Sequence, residues 1–507
     1  MEEAFAQTSA QPSAERERPY DLAVVGAGPA GLAAAVKAAD LGLSVALVDA
    51  GLRPGGQFYR HPAPELGAAK PEALHHRWGA FTALAVRFAA HRRAGAVRHV
   101  ANHHVWTVER TPDAWTLHTV AVPGTESRTD EGDRTGVAAA ASPVALPARS
   151  VLLATGAYER QLPFPGWTLP GVVSAGGAQA MLKSGLVLPG SRIVVAGSGP
   201  LLLAVAASLA AAGAEVPAVI EAAGYLGYGR HLRALAGDPS KFVEGGGYAA
   251  TLARHRIRVR TRAAVVEAHG TDRVRAVTVA ELGPDWQPLT GRRRRIECDA
   301  VAVGHGLLPQ LELATALGCE TGGTPDGAVA VTVDQGQRTS VDGVWAAGET
   351  VGVGGAELAM AEGELAALDI AAVLRPGGGG AVVDAVRLRR RRARLRGFAD
   401  VMGAVHAPGA GWTGWVSDET EVCRCEEVSA GRVREAVDEL GAGDARTAKL
   451  LTRAGMGWCQ GRMCGPAVAA LSAPGAAPAA DRRPLSCPVP LGTLAALPPR
   501  DAEHPAP

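Results

Sequence analysis

Four cysteines lie within 42 residues, as Cys423-Arg-Cys425 and Cys459-Gln-Gly-Arg-Met-Cys464, a CxC…CxxxxC pattern with 33 residues between the pairs. Thiolates are the soft ligands that iron bridged by sulfide requires, and four of them suffice for a 2Fe–2S cluster. Structural zinc is the rival occupant, although zinc sites more often space their cysteines as CxxC. Arg424, Lys449, Arg453 and Arg462 stand in the same segment and would offset the charge of four thiolates. Cys487 lies outside the pattern. Cys298 and Cys319 are too far apart for a redox CxxC pair and read as buried small hydrophobes, so disulfide reduction is not expected.

A second chemistry is written in glycine. Gly26-Ala-Gly28-Pro-Ala-Gly31 follows an apolar run that begins near Tyr20 and opens an Ala-rich helix; Asp49 ends the next apolar run. Gly26 permits the tight turn, Gly28 lets backbone approach a diphosphate, and Gly31 lets the helix lie close to the strand. The diphosphate would sit at the helix N-terminus, where free N–H groups and the dipole favour negative charge. Asp49 can accept hydrogen bonds from the ribose hydroxyls of an adenosine. The motif alone does not separate FAD from NAD.

The pattern restarts at Gly197-Ser-Gly199-Pro-Leu-Leu202, with Glu221 echoing Asp49. Leu202 replaces the third glycine, where a side chain would push the helix off the strand or crowd a cofactor. NAD(H), another adenine nucleotide, or a vestige kept for packing all remain open for this site. No arginine follows Glu221 to hold a 2′-phosphate, which disfavours NADP.

These sites need strand–turn–helix–strand units to position them, and the chain has room for several. Its 507 residues allow two or three cores, and 64 glycines with few aromatics suit tightly packed α/β layers. The formal charge of +1 gives no argument for nucleic acid or an anionic membrane as partner. The first eighteen residues are polar and carry no apolar core, so no secretory signal is expected there. The apolar stretch from Leu201 to Ile220 is broken by Gly213, Glu215 and Pro217, so no membrane span is expected and the chain reads as cytoplasmic. The predicted boundaries are 19–165 and 309–372 for one nucleotide domain in two parts, and 166–308 for the second. A linker with an Arg-rich helix follows at 373–417, and its glycine run Pro376–Gly380 argues that the cysteine domain at 418–475 folds as a separate module; a Pro/Ala-rich tail occupies 476–507. Residues 122–147 read as an exposed loop, and Arg292–Arg295 as solvated hairpin residues. Arg387–Arg396 is expected as a solvated helix face with Leu388, Leu395 and Phe398 along one side.

Further segments carry a family resemblance. Gly55-Gly56-Gln57 and the late Thr339–Gly363 segment resemble the two-dinucleotide flavoprotein reductases, and that likeness implies FAD at the first site. It implies that Gly348 and Glu349 stand at the flavin's ribityl chain and diphosphate, with Glu349 where many relatives carry Asp. Thr155 and Gly156 match the strand end at which the chain passes between the two nucleotide domains. The segments Cys423–Val428 and Leu451–Pro466 resemble the bacterioferritin-associated-ferredoxin-like 2Fe–2S domain. Gly304–Cys319, Gly354–Gly363 and Thr452–Cys464 resemble most specifically the family of opine oxidase, D-hydroxyproline dehydrogenase and hydrogen cyanide synthase α subunits. The expected architecture is therefore α/β, with two Rossmann-like domains and a small, mainly helical iron–sulfur domain. The resemblance also implies a flavin-containing, amine-oxidising β subunit that handles the small-molecule substrate, with this chain relaying electrons. A stand-alone NADH-dependent reductase of a ferredoxin-like or small acceptor is the other reading.

Overall fold

The computed structural model describes residues 18–75, 77–112, 114–122, 144–231, 239–376, 381–476, 483–495 and 497. Most of the loop expected at 122–147, the glycines 377–380 and the end of the tail fall outside the described residues.

The first sheet opens with β1 (Tyr20–Val25), α1 (Pro29–Asp40) and β2 (Val45–Val48). There follow α2 (Trp78–Arg93), β3 (Val97–Val100), β4 (His103–Arg110), β5 (Trp115–Ala121) and β6 (Ala145–Leu153). The strand order is β3-β2-β1-β6-β5-β4, parallel from β3 to β6 and antiparallel beyond. β1 and β2 are apolar and buried almost throughout, as strands covered on both faces must be.

A short β7 (Ala157–Glu159) leaves this domain, and β8 (Val172–Ser174) with α3 (Ala175–Gly185) enters the next. Then come β9 (Ile193–Gly197), α4 (Leu201–Ala211), β10 (Ala218–Glu221), α5 (Pro239–Arg254) and β11 (Arg258–Thr261). The antiparallel meander β12 (Ala263–His269), β13 (Ala276–Leu282) and β14 (Pro288–Glu297) precedes β15 (Ala300–Gly304). The second sheet is wholly parallel, in the order β11-β10-β9-β15-β8. Arg292–Arg295 lie on the exposed β14, as solvated residues should.

The chain returns through β16 (Leu307–Pro309), which pairs antiparallel with β7, so two adjacent strands carry it out of the first domain and back. After α6 (Glu312–Ala316) and the hairpin β17 (Thr321–Gly323) and β18 (Val329–Val331), β19 (Val344–Ala346) joins β6 in parallel. Next, α7 (Ala356–Leu374) crosses α1. A Cβ on Gly363 would come within 2.1 Å of the Ala30 carbonyl, so small residues set how closely these helices approach.

Beyond α8 (Ala381–His406) lie β20 (Glu421–Cys423), β21 (Val428–Ser429), α9 (Ala430–Asp438), α10 (Ala445–Thr452), α11 (Gly465–Ser472) and α12 (Leu491–Ala495). Two expectations change here. Leu388 and Leu395 are buried as foreseen, but Arg392 and Arg396 turn inward to a buried carboxylate, so α8 is not simply a solvated face. The cysteine segment is also no tethered module. Val422, Cys423, Val433, Cys464 and Leu471 share one core with Ala222, Val266, Leu282 and Trp286 of the second domain. Trp415 stacks on Trp286 at 6.1 Å and donates Nε1–H to its carbonyl at 2.9 Å. Trp167 donates to the Glu421 carbonyl at 2.7 Å.

Candidate functional site

At the first glycine turn, packing and open space divide the glycines between them. Gly26 turns at φ 105°, and a Cβ there would lie 2.3 Å from the Ala154 carbonyl oxygen. At Gly31 it would lie 1.8 Å from the Gly26 carbonyl oxygen. At Gly28 it would meet nothing within 4 Å. The protein itself thus demands glycine at 26 and 31, whereas the space over Gly28 is free for a group drawn against the backbone. No side chain caps α1 and no acid stands in its first turn, so its N-terminal N–H groups are available to an anion.

Gly56 backs the turn, with its Cβ position 2.8 Å from Gly28 Cα, and Gly55 N–H donates to the Ala27 carbonyl at 2.8 Å. Gln57 is exposed, and its Oε1 accepts from Arg60 at 2.7 Å. Asp49 accepts from the N–H groups of Ala27 at 2.5 Å and Gly51 at 2.6 Å. Burial raises its carboxyl above the usual range, and those two N–H groups draw it back in part.

The late segment meets this turn from the other side. A Cβ on Gly348 would lie 2.8 Å from Ala30 Cβ. Thr155 Oγ1 donates to the Gln310 carbonyl at 2.8 Å and stands 3.1 Å from Thr350 Oγ1, which also accepts from Gly156 N–H at 3.2 Å. The ends of β6 and β16 and the turn after β19 are thereby tied together. Burial raises the Glu349 carboxyl, with the Gly355 N–H and Arg396 opposing it.

Two acids that sequence reasoning missed hold this junction. Glu362 is fully buried; it accepts Gly348 N–H at 3.0 Å, Arg392 Nε at 3.1 Å and Arg396 Nη2 at 2.9 Å. The signal for the arginines was their i,i+4 spacing, which puts both on one helix face; nothing local marked Glu362. Glu159, at the end of β7, accepts Gly176 N–H at 2.8 Å in the first turn of α3. Burial raises its carboxyl too. Cys298 and Cys319 sit in separate cores, and burial pushes Cys298 up to about 12, so neither is a ready nucleophile.

The second turn is built differently. Leu202 is 1 % exposed and packs with Ile193, Val195 and Val205, so it fills the core rather than the cofactor's place. Gly199 has open space over it, like Gly28, but turns at φ 113°, which favours glycine, and Gly197 packs against Gly304. Glu221 is 3 % exposed and accepts from the N–H groups of Gly199 at 3.0 Å and Ala223 at 2.9 Å.

The four cysteines come together from two loops, one beginning at the end of β20 with Cys423 and one before α11. Among the described residues no group of three or more His, Cys, Asp or Glu side chains is set to hold a single metal ion. Instead Cys425 shares a hydrogen bond with Cys459 and Cys464 with Cys423, and the two pairs lie close enough to interact with each other. A two-iron centre carrying two thiolates on each iron suits that arrangement. Burial, then the neighbouring Cys423, raises the Cys464 thiol, a penalty that bound cationic iron removes. Gly455 N–H points at Cys423 Sγ at 3.5 Å, and a Cβ on Gly457 would overlap Cys425 Cβ at 2.2 Å. Cys423 and Cys464 are buried, Cys459 is intermediate and Cys425 is exposed. Of the arginines expected to balance the charge, Arg453 pairs with Glu426 and Arg462 with Glu312, while Arg424 lies over Trp167.

The pyridine nucleotide-disulphide oxidoreductase family matches residues 20–363, and the BFD-like [2Fe-2S] binding domain matches residues 421–473. The second match speaks for iron–sulfur over zinc. Hydrogen cyanide synthase subunit HcnB of Pseudomonas protegens is 35 % identical over 448 residues, covering 87 % of this chain and 89 % of that protein. An opine oxidase subunit of Agrobacterium tumefaciens is 34 % identical over 458 residues, covering 88 % of this chain and 84 % of that protein. In fold, the chain resembles L-proline dehydrogenase from P. horikoshii with a TM-score of 0.60 at 19 % identity, over 94 % of this chain and 79 % of that one. No described helix is long and apolar enough to cross a membrane. A glycine turn open to a diphosphate, a late segment closing over it and two loops that bring four thiols together are thus the parts of an FAD-dependent oxidoreductase with a 2Fe–2S domain, and the chain belongs to the pyridine nucleotide-disulphide oxidoreductase family.

Proposed function

We propose that this chain is the electron-relaying α subunit of a cytoplasmic dehydrogenase complex acting on CH–NH donors, an amine, an opine or an amino acid. The substrate would be oxidised on a flavin-containing β subunit. When bound, FAD exchanges electrons in pairs and the iron–sulfur centre carries them singly. Gly28, Gly56 and the N-terminus of α1 would hold the FAD diphosphate, and Asp49 the adenosine ribose. Gly26 and Gly31 would keep the turn tight around it. Thr155, Gly156, Gly348 and Glu349 would line the flavin end, with Glu362 fixing the Gly348 N–H and Gln57 at the rim. Cys423, Cys425, Cys459 and Cys464 would hold the cluster, with the exposed Cys425 at the edge where electrons cross to or from another protein.

The observation that carries this reading is that the cysteine segment is held on both nucleotide domains, by the core it shares with the second and by the Arg462–Glu312 ion pair to the first. A relay needs a fixed separation between its two redox centres, and continuous packing through Trp286 and Trp415 supplies rigidity that a flexible tether would not. Resemblance to subunits of opine oxidase and hydrogen cyanide synthase supports the same assignment.

The test is to co-purify the chain with a candidate amine-oxidising flavoprotein, sought first in the neighbouring reading frames, and add an opine or secondary amine anaerobically. Reduction of both the flavin and the cluster of this chain is expected. Rapid reduction of the isolated chain by NADH, with no amine-dependent reduction in the pair, would replace the relay by a stand-alone NADH-dependent reductase.

A further inference from the structure

The second glycine turn keeps the parts of an adenosine site, and another part of the same chain lies across it. In the first turn Asp49 is half-buried, and among the described residues no ion pair covers its carboxylate. Its counterpart Glu221 is 3 % exposed, and Oε1 stands 3.4 Å from His406 Nδ1. His406 is the last residue of α8 and is itself 8 % exposed.

Three further anchors hold His406 and its helix there. Ser198, between the two glycines of the turn, donates its hydroxyl to the His406 carbonyl at 3.0 Å. Tyr228 OH lies 2.6 Å from His406 Nε2. Upstream on the same helix, Arg392 and Arg396 are anchored to the buried Glu362. A helix pinned at both places cannot carry His406 away by a side-chain rotation alone. The ribose hydroxyls of an adenine nucleotide need the outer carboxylate edge of the acid at this position. Here the imidazole stands against that edge, and water has almost no access to it.

We propose that His406 is a specificity-determining residue: it stands where an adenosine ribose would meet Glu221, and so keeps NAD(H) and other adenine nucleotides off the second turn. This deepens the relay reading and rests on it for its consequence, which is that electrons reach the flavin from a protein partner and not from a pyridine nucleotide. Leu202, the departure visible in the sequence, points into the core and is not what closes the site.

The experiment uses the full-length, FAD-saturated protein and ADP-ribose, a probe that binds as a nucleotide but carries no electrons. Calorimetric titration should show no binding by the native protein up to millimolar probe. His406→Ala should bind at least tenfold more tightly, and adding Glu221→Gln to it should remove the gain. His406→Gln, which keeps bulk and hydrogen bonding, should stay closed. Flavin absorbance and a melting curve establish that each variant is folded. ADP-ribose binding by the native protein as tight as by His406→Ala overturns the proposal, and that measurement needs no variant to fold. So does a folded His406→Ala with no gain. Binding of ADP-ribose by the native protein without flavin bleaching by NADH would sink the closure and leave the relay standing; bleaching by NADH would sink the relay itself.

Discussion

The two glycine turns begin from nearly the same sequence, Gly-Ala-Gly-Pro-Ala-Gly and Gly-Ser-Gly-Pro-Leu-Leu, and the third glycine separates their geometries. In the first, Gly28 is extended and Leu32 N–H bonds straight to the Gly28 carbonyl, so the α-helix begins at full strength against the strand. In the second, Pro200 is already helical, and Leu202 and Leu203 donate to Gly199 and Pro200, three residues back. That tighter opening turn accommodates the Leu202 side chain, which a helix packed as closely as α1 would not. A glycine replaced at this position does not abolish the turn; it changes how the helix starts. Whether a nucleotide can bind is then decided elsewhere, by what lies across the acid.

The comparison can be broken most completely at the second glycine of each motif. Gly28→Val should fold, because a Cβ there meets no protein atom, yet purify without FAD; Gly199→Val, strained because Gly199 turns at φ 113°, should lose stability but keep its yellow colour where folded. Retention of FAD by Gly28→Val would place the cofactor elsewhere. The next largest effect is at Glu362→Ala, which leaves Arg392 and Arg396 around an empty site and should lower stability by ~3–5 kcal/mol in chemical denaturation. An unchanged denaturation midpoint there would mean that α8 is not anchored through this carboxylate.

Smaller effects sharpen the contrast. Gly31→Ala forces a methyl onto the Gly26 carbonyl and should destabilise by about 1–3 kcal/mol, with weakened FAD binding. At the matching position Leu202→Ala should lower stability by cavity formation, about 2–5 kcal/mol, without loosening FAD. Equal loss of flavin in both would erase the distinction between the turns. Smallest is the pair of acids: Asp49→Asn should weaken FAD roughly tenfold, about 1.4 kcal/mol, whereas Glu221→Gln should leave FAD affinity unchanged in a fluorescence titration.

Much of this was legible along the chain because its signals are local. The first turn, Asp49, the second turn and Glu221 each lie within one strand–turn–helix–strand unit, where sequence spacing is nearly spatial spacing. The cysteine pattern and its family likeness were equally local, and the family match over residues 421–473 agrees with them. The Arg-rich helix was foreseen, with Leu388 and Leu395 on its buried side.

What the amino-acid sequence determined alone was the fold class, from short motifs whose geometry follows from backbone sterics, and, through its family likeness, FAD and a 2Fe–2S centre as cofactors. Only the tertiary structure decided the rest. Glu362 meets Arg392 and Arg396 across 30 and 34 residues, and Glu221 meets His406 from 185 residues away. A buried carboxylate must find partners wherever packing brings a donor, and no spacing rule names them in advance. The same holds for the cysteine domain. A glycine run suggests a free tether, but Trp286 and Trp415 are both too apolar to leave in water, and their stacking in one core joins what the linker had seemed to separate.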